Sequence, residues 1–170
     1  QKQTEPQLRF GKPDWFDQVG REVAFATNEV AIFDQSSFGK ISITGRDAEA
    51  LLNRVCANNM SRPAGRATYT IMLNDKGGIE SDLTAIRFGD ESYRLYVGSS
   101  AIKRDMAWLC EHIGTDEQIV IEDQSVQLAT IAVMGPKAVA ITKVLGADWL
   151  DTVDYFTHKH DEIAGVLVDA

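Results

Sequence analysis

The sequence has 170 residues, of which 44% are hydrophobic and 25% charged, and its formal net charge is −8. This length suits one domain with a substantial core, and the composition is that of an ordinary globular protein rather than a disordered one. The 25 acidic residues against 17 basic ones repel a phosphate backbone, which argues against nucleic acid as a partner. No apolar run approaches the roughly 20 residues that cross a bilayer, so we expect no membrane partner.

The N-terminal residues and the cysteines indicate the compartment. Residues 1–13 are polar and lack the apolar core of a secretory signal. Cys56 and Cys110 lie in apolar helical patterns without CxxC or Cys/His zinc spacing, so we interpret both as buried free thiols. We therefore predict a protein of a reduced compartment that is not secreted and holds no metal.

Hydrophobic periodicity predicts the elements in chain order. Helices are expected over residues 14–28, 48–57, 99–112 and 135–145. Strands are expected over residues 40–44, 68–73, 82–88, 93–97, 118–121 and 127–133, with one more from Asp161 to the end. We interpret the central order as strand–helix–strand–strand–helix–strand, which is the ferredoxin-like signature. The predicted fold is α+β: a ferredoxin-like βαββαβ core with an N-terminal helix and C-terminal additions.

The same pattern predicts three segments. Residues 1–34 form a helical lead-in, residues 35–135 a ferredoxin-like subdomain, and residues 136–170 the start of a further segment. The sequence ends on an apolar strand without a polar tail, so we expect a truncated piece of a longer protein. A truncated domain exposes the surface meant for its missing part, and self-association through that face is expected.

A glycine turn in the middle of the chain carries the first candidate site. Gly77-Gly78 allows a tight turn between two strands that carry Tyr69 and Asp82. An acidic residue that begins an apolar strand lies at the rim of a sheet, where it could meet a ligand amine. From the pattern alone, a solvated residue at a strand start is the simpler interpretation of Asp82. The relative faces of Tyr69 and Asp82 depend on a register that the sequence leaves open.

Other common catalytic and cofactor patterns are missing from the sequence. No GxGxxG or GxxxxGK[ST] loop connects a strand to a helix, so flavin or nicotinamide chemistry would have to come from another domain. No Ser/His/Asp or Cys/His order stands out. The three histidines, His112, His158 and His160, form no constellation, and we interpret them as solvated.

Several linked motifs give the sequence a specific resemblance. In chain order they are Phe33-Asp34-Gln35-Ser36-Ser37-Phe38-Gly39-Lys40, Ser61-Arg62-Pro63, Tyr69-Thr70 with Met72-Leu73-Asn74, Gly77-Gly78 with Glu80-Ser81-Asp82-Leu83-Thr84, and Val133-Met134-Gly135-Pro136. Together they resemble the C-terminal folate domain of sarcosine dehydrogenase and dimethylglycine dehydrogenase. More remotely, they resemble the T-protein, the aminomethyltransferase of the glycine cleavage system. The resemblance implies the first part of the T-protein folate-binding fold, with residues 35–135 as its folate-binding subdomain.

The resemblance also implies a function. Such a domain binds tetrahydrofolate and captures the one-carbon unit released when a flavin domain oxidises an N-methyl amine, and the product is 5,10-methylenetetrahydrofolate. FAD would lie in an upstream domain outside this sequence. Two alternatives stay open: a stand-alone T-protein-like aminomethyltransferase that accepts its group from a lipoyl carrier, and a non-catalytic relative that acts as a scaffold.

By the same resemblance, Asp82 is the expected catalytic residue. It would hold and polarise the folate amine that accepts the carbon, and take up a proton as the bond forms. Tyr69 and Phe38 would line the pterin or its neighbouring ring, although the T-protein typically has Met at the position of Phe38. Part of the wall would come from three consecutive residues, Val97, Gly98 and Ser99.

One motif of the T-protein family is missing from this sequence. A Tyr-x-Gly-Glu motif, whose Glu grips the pterin, would follow the last residue of this sequence. We therefore expect the chain alone to be inactive and to bind folate weakly or not at all.

Overall fold

The computed structural model describes residues 10–170. Its four helices are α1 (Phe16–Asn28), α2 (Ala48–Val55), α3 (Ile102–Glu111) and α4 (Ala138–Val144), and a short 3-10 helix covers Asp148–Thr152. Its strands are β1 (Ala31–Asp34), β2 (Gly39–Thr44), β3 (Ala67–Leu73), β4 (Ile79–Gly89), β5 (Ser92–Val97), β6 (Val120–Asp123), β7 (Ile131–Met134), β8 (His160–Ile163) and β9 (Val166–Asp169). The predicted α+β class is confirmed.

The centre of the molecule is a five-stranded antiparallel sheet in the order β3-β4-β5-β2-β6. Helix α2 follows β2 and helix α3 follows β5, as in a ferredoxin-like unit. The unit has one strand more than the simple βαββαβ signature. The extra strand arises because turns near Gly77 and Asp90 join β3, β4 and β5 into a three-stranded meander.

The hydrophobic core lies between this sheet and the two helices. Alternate strand residues such as Ile41, Ile43 and Leu95 are fully buried, and α2 contributes Leu51 and Leu52 from one side of the helix. The opposite face of the sheet therefore carries the remaining, mostly polar residues of each strand. Its polar character makes that face the place to look for a functional site.

A second, two-stranded sheet joins β1 to β7, with Ala31 opposite Met134 and Asp34 opposite Ile131. The sequence did not predict β1, and it placed the start of β7 too early, at Gln127. Residues 124–128 instead form a turn in which the amides of Gln127 and Leu128 donate to the carbonyl of Gln124. Regular pairing can therefore begin only after this turn.

The prediction of one strand from Asp161 to the end is wrong. The chain turns back at Ala164 and Gly165, so that β8 and β9 form an antiparallel hairpin. Both turn residues have positive φ, 52° and 81°, which is the conformation of a two-residue hairpin turn. Ala-Gly is a weaker turn signal than Asn-Gly or Asp-Gly, which explains the error.

Two expectations about individual side chains are also corrected. Cys110 is a free thiol but is exposed, because Leu109 is the α3 residue that faces the core. Cys56 is free and buried as predicted, and burial raises the pKa of its thiol to about 12. His158 is not solvated: its side chain is 7% exposed, and its ring packs edge-on against Phe88.

Candidate functional site

The face of the sheet opposite α2 and α3 presents its polar side chains in rows, and we call it the open face. The pairing registers place Tyr69, Thr84, Tyr96 and Lys40 side by side across β3, β4, β5 and β2. Because alternate residues of a strand share a face, Asp82 also lies on the open face, one step along β4 from Thr84. The register that the sequence left open therefore puts both predicted hairpin residues on one surface.

Tyr69 and Asp82 contact each other directly. The phenol of Tyr69 donates a hydrogen bond to Oδ2 of Asp82 at 3.1 Å, and both side chains are exposed. This hydrogen bond, and the charge of Asp82, raise the pKa of Tyr69. Among residues 10–170, the structure shows no hydrogen bond to Oδ1 of Asp82.

Phe38, Gly98 and Ser99 lie at the same end of the sheet as Asp82. The last paired residues there are Gly39 with Val97 and Val97 with Leu83. Continuing this register by one residue brings Phe38, Gly98 and Asp82 to one level across three strands. Phe38 is 41% exposed, and Gly98 and Ser99 are exposed. Phe38 and Gly98 therefore lie at the level of Asp82, and Ser99 follows Gly98 in the turn after β5.

Val97 is placed differently. Its side chain is 1% exposed and belongs to the helix-side core together with Leu83, so it points away from Asp82. A Cβ at Gly39 would come within 2.5 Å of Val97 Cγ2 and Ile102 Cγ1, so Val97 and the start of α3 pack on bare backbone. The side chain of Val97 supports this end of the sheet from behind.

Lys40 bounds the site on one side, and sequence reasoning gave it no role. Its side chain is fully buried, and Nζ donates to the carbonyls of Ser36 at 2.8 Å and Ser125 at 3.3 Å. Burial lowers the pKa of Lys40, opposed by the charges of Asp123 and Asp34. The alternation of Lys40 with buried Ile41 was the signal that could have placed it on the open face.

Arg94 bounds the site on another side. It lies one row beyond Tyr96, and its Nη1 pairs with Oδ2 of Asp169 at 2.7 Å. His160 Nδ1 and His158 Nε2 lie 2.8 and 3.3 Å from Oδ1 of the same carboxylate. Burial alone would raise the pKa of Asp169, but these hydrogen bonds outweigh it and lower the pKa to about 2. The β8–β9 hairpin is thereby fixed to the open face.

A cleft of about 410 Å³ lies between residues 63–66 and 152–159. Gly65, in the wall of the cleft, donates its amide hydrogen to the carbonyl of Arg87 in β4. Arg87 is five residues from Asp82 along β4, which is a distance of about 16 Å. The cleft is therefore separate from the Tyr69–Asp82 pair. Among residues 10–170, no group of three or more His, Cys, Asp or Glu side chains could hold a metal ion, and no helix has the length and apolar character to span a membrane.

Comparison with known proteins gives one family. The family described as GCVT N-terminal domain matches residues 3–170. The chain is 32% identical over 157 residues to an aminomethyltransferase of Chloroherpeton thalassium, covering 92% of this chain and 43% of that protein. It is 37% identical over 134 residues to an aminomethyltransferase of Bacillus subtilis, covering 78% of this chain and 36% of that protein. The chain thus spans less than half the length of these relatives.

The chain is also similar in sequence to an oxidase and in fold to a solved crystal structure. The 4-methylaminobutanoate oxidase (formaldehyde-forming) of Paenarthrobacter nicotinovorans is 33% identical over 150 residues, which are 88% of this chain and 18% of the oxidase. The crystal structure of the glycine cleavage system aminomethyltransferase T from Bartonella henselae superposes with a TM-score of 0.72 at 20% identity. That superposition covers 84% of this chain and 38% of the other, and it shows a shared fold.

Proposed function

The chain belongs to the GCVT N-terminal domain family, and we propose that it supplies the carbon-accepting end of a tetrahydrofolate site. The observation that carries this proposal is the Tyr69–Asp82 hydrogen bond on the open face, beside Phe38 and Gly98. An aromatic side chain, an exposed backbone and a carboxylate with one available oxygen suit a flat heterocycle that carries an amine. We also propose that Gly98 and Ser99 form part of the wall of this folate site.

The proposed chemistry is capture of a one-carbon unit by an amine of folate. The amine nitrogen attacks the carbon of the released formaldehyde or iminium, and the electrons of that double bond move to its oxygen or nitrogen. The folate nitrogen loses its proton as the new bond forms. The second folate nitrogen then bonds to the same carbon, and the oxygen leaves as water, or the nitrogen as an amine, to give 5,10-methylenetetrahydrofolate. Asp82 holds the amine before the reaction and accepts its proton as the new bond forms, as a positioned carboxylate can. Tyr69 occupies one oxygen of Asp82 and so directs the other towards the ligand.

We propose that the parent protein is a flavin-dependent sarcosine- or dimethylglycine-demethylating enzyme of the cytoplasm or the mitochondrial matrix. An upstream FAD domain would oxidise the N-methyl amine, and this domain would convert the released carbon to 5,10-methylenetetrahydrofolate. The similarity to an oxidase of an N-methylated amino acid supports this context. The motif around Phe38-Gly39-Lys40, which resembles the oxidase branch, supports it as well.

A stand-alone aminomethyltransferase is the second candidate. The similar proteins of Chloroherpeton thalassium and Bacillus subtilis carry that name, and so does the structure that shares this fold. The upstream reading frame separates the two candidates. A flavin-binding GxGxxG ahead of Gln1 supports the oxidase context, and an initiator methionine close to Gln1 supports the transferase.

The partner of the α1 surface is a further part of the proposal. No residue of α1 is buried, and its apolar side chains Val19 and Val23, which lie one turn apart on the same face, are 39% and 59% exposed. We propose that these side chains are covered by the remainder of the domain, and that the chain alone self-associates through them. Monomeric sedimentation at high concentration would count against self-association.

The experiment that tests the site uses the full-length protein and follows two products separately. Asp82→Asn is expected to lower 5,10-methylenetetrahydrofolate formation sharply and to leave amine oxidation nearly unchanged. Asp75→Asn, in the exposed turn before β4, is the matched control and should change neither rate. Unchanged methylenetetrahydrofolate formation in Asp82→Asn would refute the assigned role.

Direct binding gives a second test. Calorimetric titration with tetrahydrofolate should show weak or no binding to the 170-residue chain. It should show clear binding to a version extended through the rest of the domain. Saturable submicromolar binding by the 170-residue chain would overturn the expectation that its site is incomplete.

A further inference from the structure

A buried carboxylate lies behind Asp82, on the helix side of the sheet. Asp105 of α3 is 1% exposed, and its Oδ2 accepts a hydrogen bond of 2.6 Å from the hydroxyl of Ser81. Arg104 approaches its other oxygen at 3.2 Å. Taking a carboxylate out of water costs free energy unless its oxygens are paired, so a well-packed apolar residue would be the simpler choice here. The presence of Asp105 at this core position therefore calls for a specific reason.

The location of Ser81 suggests what that reason is. Ser81 directly precedes Asp82, and successive side chains of a strand point to opposite faces. The Ser81 side chain is therefore held from the helix side, while the Asp82 side chain projects from the open face. A change in the direction of β4 at Ser81 would move Asp82 with it.

The backbone ladder is irregular at this point. Met72 pairs with Ser81, but the next pair is Leu73 with Ile79, so that Glu80 is an extra residue in β4. An extra residue disrupts the ladder locally and bends the strand that carries it. Backbone hydrogen bonds therefore fix the direction of the strand before Asp82 less firmly than elsewhere. Side-chain bonds hold it instead: Ser81 bonds to Asp105, and Glu80 accepts from Asn74 at 2.7 Å.

Helix α3 begins close to Gly98 and Ser99, which lie beside Asp82 in the proposed site. It starts four residues after Gly98, and the amide of Asp105 donates to the carbonyl of Ala101 at 2.8 Å, in its first turn. Asp105 therefore links the connection that carries Gly98 and Ser99 to the strand that carries Asp82.

We propose that Asp105 is a positioning residue. Through Ser81 it fixes the direction of β4 at the extra residue, and it thereby holds Asp82 within reach of the Tyr69 phenol and of a ligand. The geometric part of this proposal stands on the contacts of Ser81, Asp82 and Asp105. Its consequence for catalysis rests on the proposed function of Asp82.

The geometric part is tested by the titration of Tyr69, which responds to Asp82. The 170-residue chain is labelled with ¹³C-tyrosine, and the Tyr69→Phe variant assigns the resonance. Ser81→Ala is expected to lower the pKa of Tyr69 towards its ordinary value, because the bond from Tyr69 to Asp82 weakens. Ser81→Thr keeps the hydroxyl and should restore the shift. Asp105→Asn keeps an accepting oxygen and should have a smaller effect than Ser81→Ala.

Controls separate positioning from general loss of stability. Ser42→Ala removes the hydroxyl of a buried serine in strand β2 of the same sheet and should leave the pKa of Tyr69 unchanged. In an Asp82→Asn background, Ser81→Ala should have no further effect on Tyr69. An unchanged Tyr69 titration in folded Ser81→Ala, with native chemical-shift dispersion, would overturn the proposal.

The catalytic consequence is read in the full-length protein. Ser81→Ala should lower the turnover to 5,10-methylenetetrahydrofolate on the order of tenfold or more, with a smaller change in KM for tetrahydrofolate and unchanged amine oxidation. If Tyr69 titrates differently but turnover is unchanged, the positioning proposal holds and the catalytic role proposed for Asp82 fails. If neither changes, the positioning proposal itself fails.

Discussion

Tyr69 and Asp82 are diagonal neighbours: Tyr69 stands opposite Thr84, and Asp82 stands opposite Ile71, yet the phenol reaches the carboxylate at 3.1 Å. A long aromatic side chain spans such a diagonal, whereas a short one does not. The pair therefore depends on the pairing register of β3 and β4 as well as on the two residue types.

The first prediction concerns this hydrogen bond. Asp82→Asn removes the acceptor charge, so the pKa of Tyr69 should fall towards its ordinary value, because the bond to Asp82 is the main cause of its elevation. Titration of labelled tyrosine by NMR measures this change. The control variant Asp75→Asn should leave the pKa of Tyr69 unchanged. If Asp82→Asn also leaves the pKa of Tyr69 unchanged, the two side chains do not interact in solution.

The second prediction concerns acid stability. Because the pKa of Asp169 is lowered to about 2 in the folded chain, its stabilising effect is complete above the ordinary value near 4 and is lost as pH falls towards 2. Asp169→Asn should lower the free energy of unfolding at pH 7 by on the order of 2 kcal/mol. Urea unfolding measures the free energy of unfolding of the variant and of the unmodified chain. The difference between the two should be smaller near pH 2 than at pH 7. An equal difference at both pH values would contradict the Arg94–Asp169 assignment.

The third prediction concerns Lys40. Lys40→Met keeps an unbranched side chain but leaves the carbonyls of Ser36 and Ser125 without their donor, which should cost about 1–3 kcal/mol of stability. Urea unfolding measures the loss, and amide exchange in residues 124–128 should become faster. Lys103→Met, on the exposed side of α3, is the matched control and should change little. Equal stability of the two variants would refute the role of Lys40.

The fourth prediction compares two glycines. Gly39→Ala places a methyl group within 2.5 Å of Val97 and Ile102 and should destabilise the chain by about 1–3 kcal/mol. Gly20 lies inside α1 with nothing within 4 Å of its added Cβ, so Gly20→Ala should stabilise by about 0.5–1 kcal/mol. Thermal unfolding shows whether each of the two variants is less or more stable than the unmodified chain. A tolerated Gly39→Ala would show that α3 does not pack closely on β2.

Sequence periodicity predicted the central elements well because their two faces differ strongly in polarity. In β2, for example, Ile41 and Ile43 alternate with Lys40 and Ser42, and the strand is found where it was expected. The four-residue strand β1 was missed because it directly follows α1 and is too short to show a pattern. The final hairpin was missed because its turn depends on the backbone angles of Ala164, a residue that rarely adopts positive φ.

The site was predictable only in part, for a different reason. Asp82 and Tyr69 came from a resemblance between motifs, while their contact depends on a register set by packing across the sheet. The contacts of Lys40 and Asp169 depend on partners far away in the sequence, Ser125 and Arg94. His158 illustrates this limit, since its burial is created by Phe88 and Asp169 rather than by its own neighbours in the chain.

The pairing of β1 with β7 has a consequence for the order of folding. These strands are roughly 100 residues apart in the chain, so closing this loop before the central sheet forms would carry a large entropic cost. Once the central sheet has brought the two segments together, the remaining cost is small. We therefore expect β1–β7 to form late in refolding and to open first in the native state, whereas the meander that carries Tyr69 and Asp82, built from contacts local in sequence, forms early.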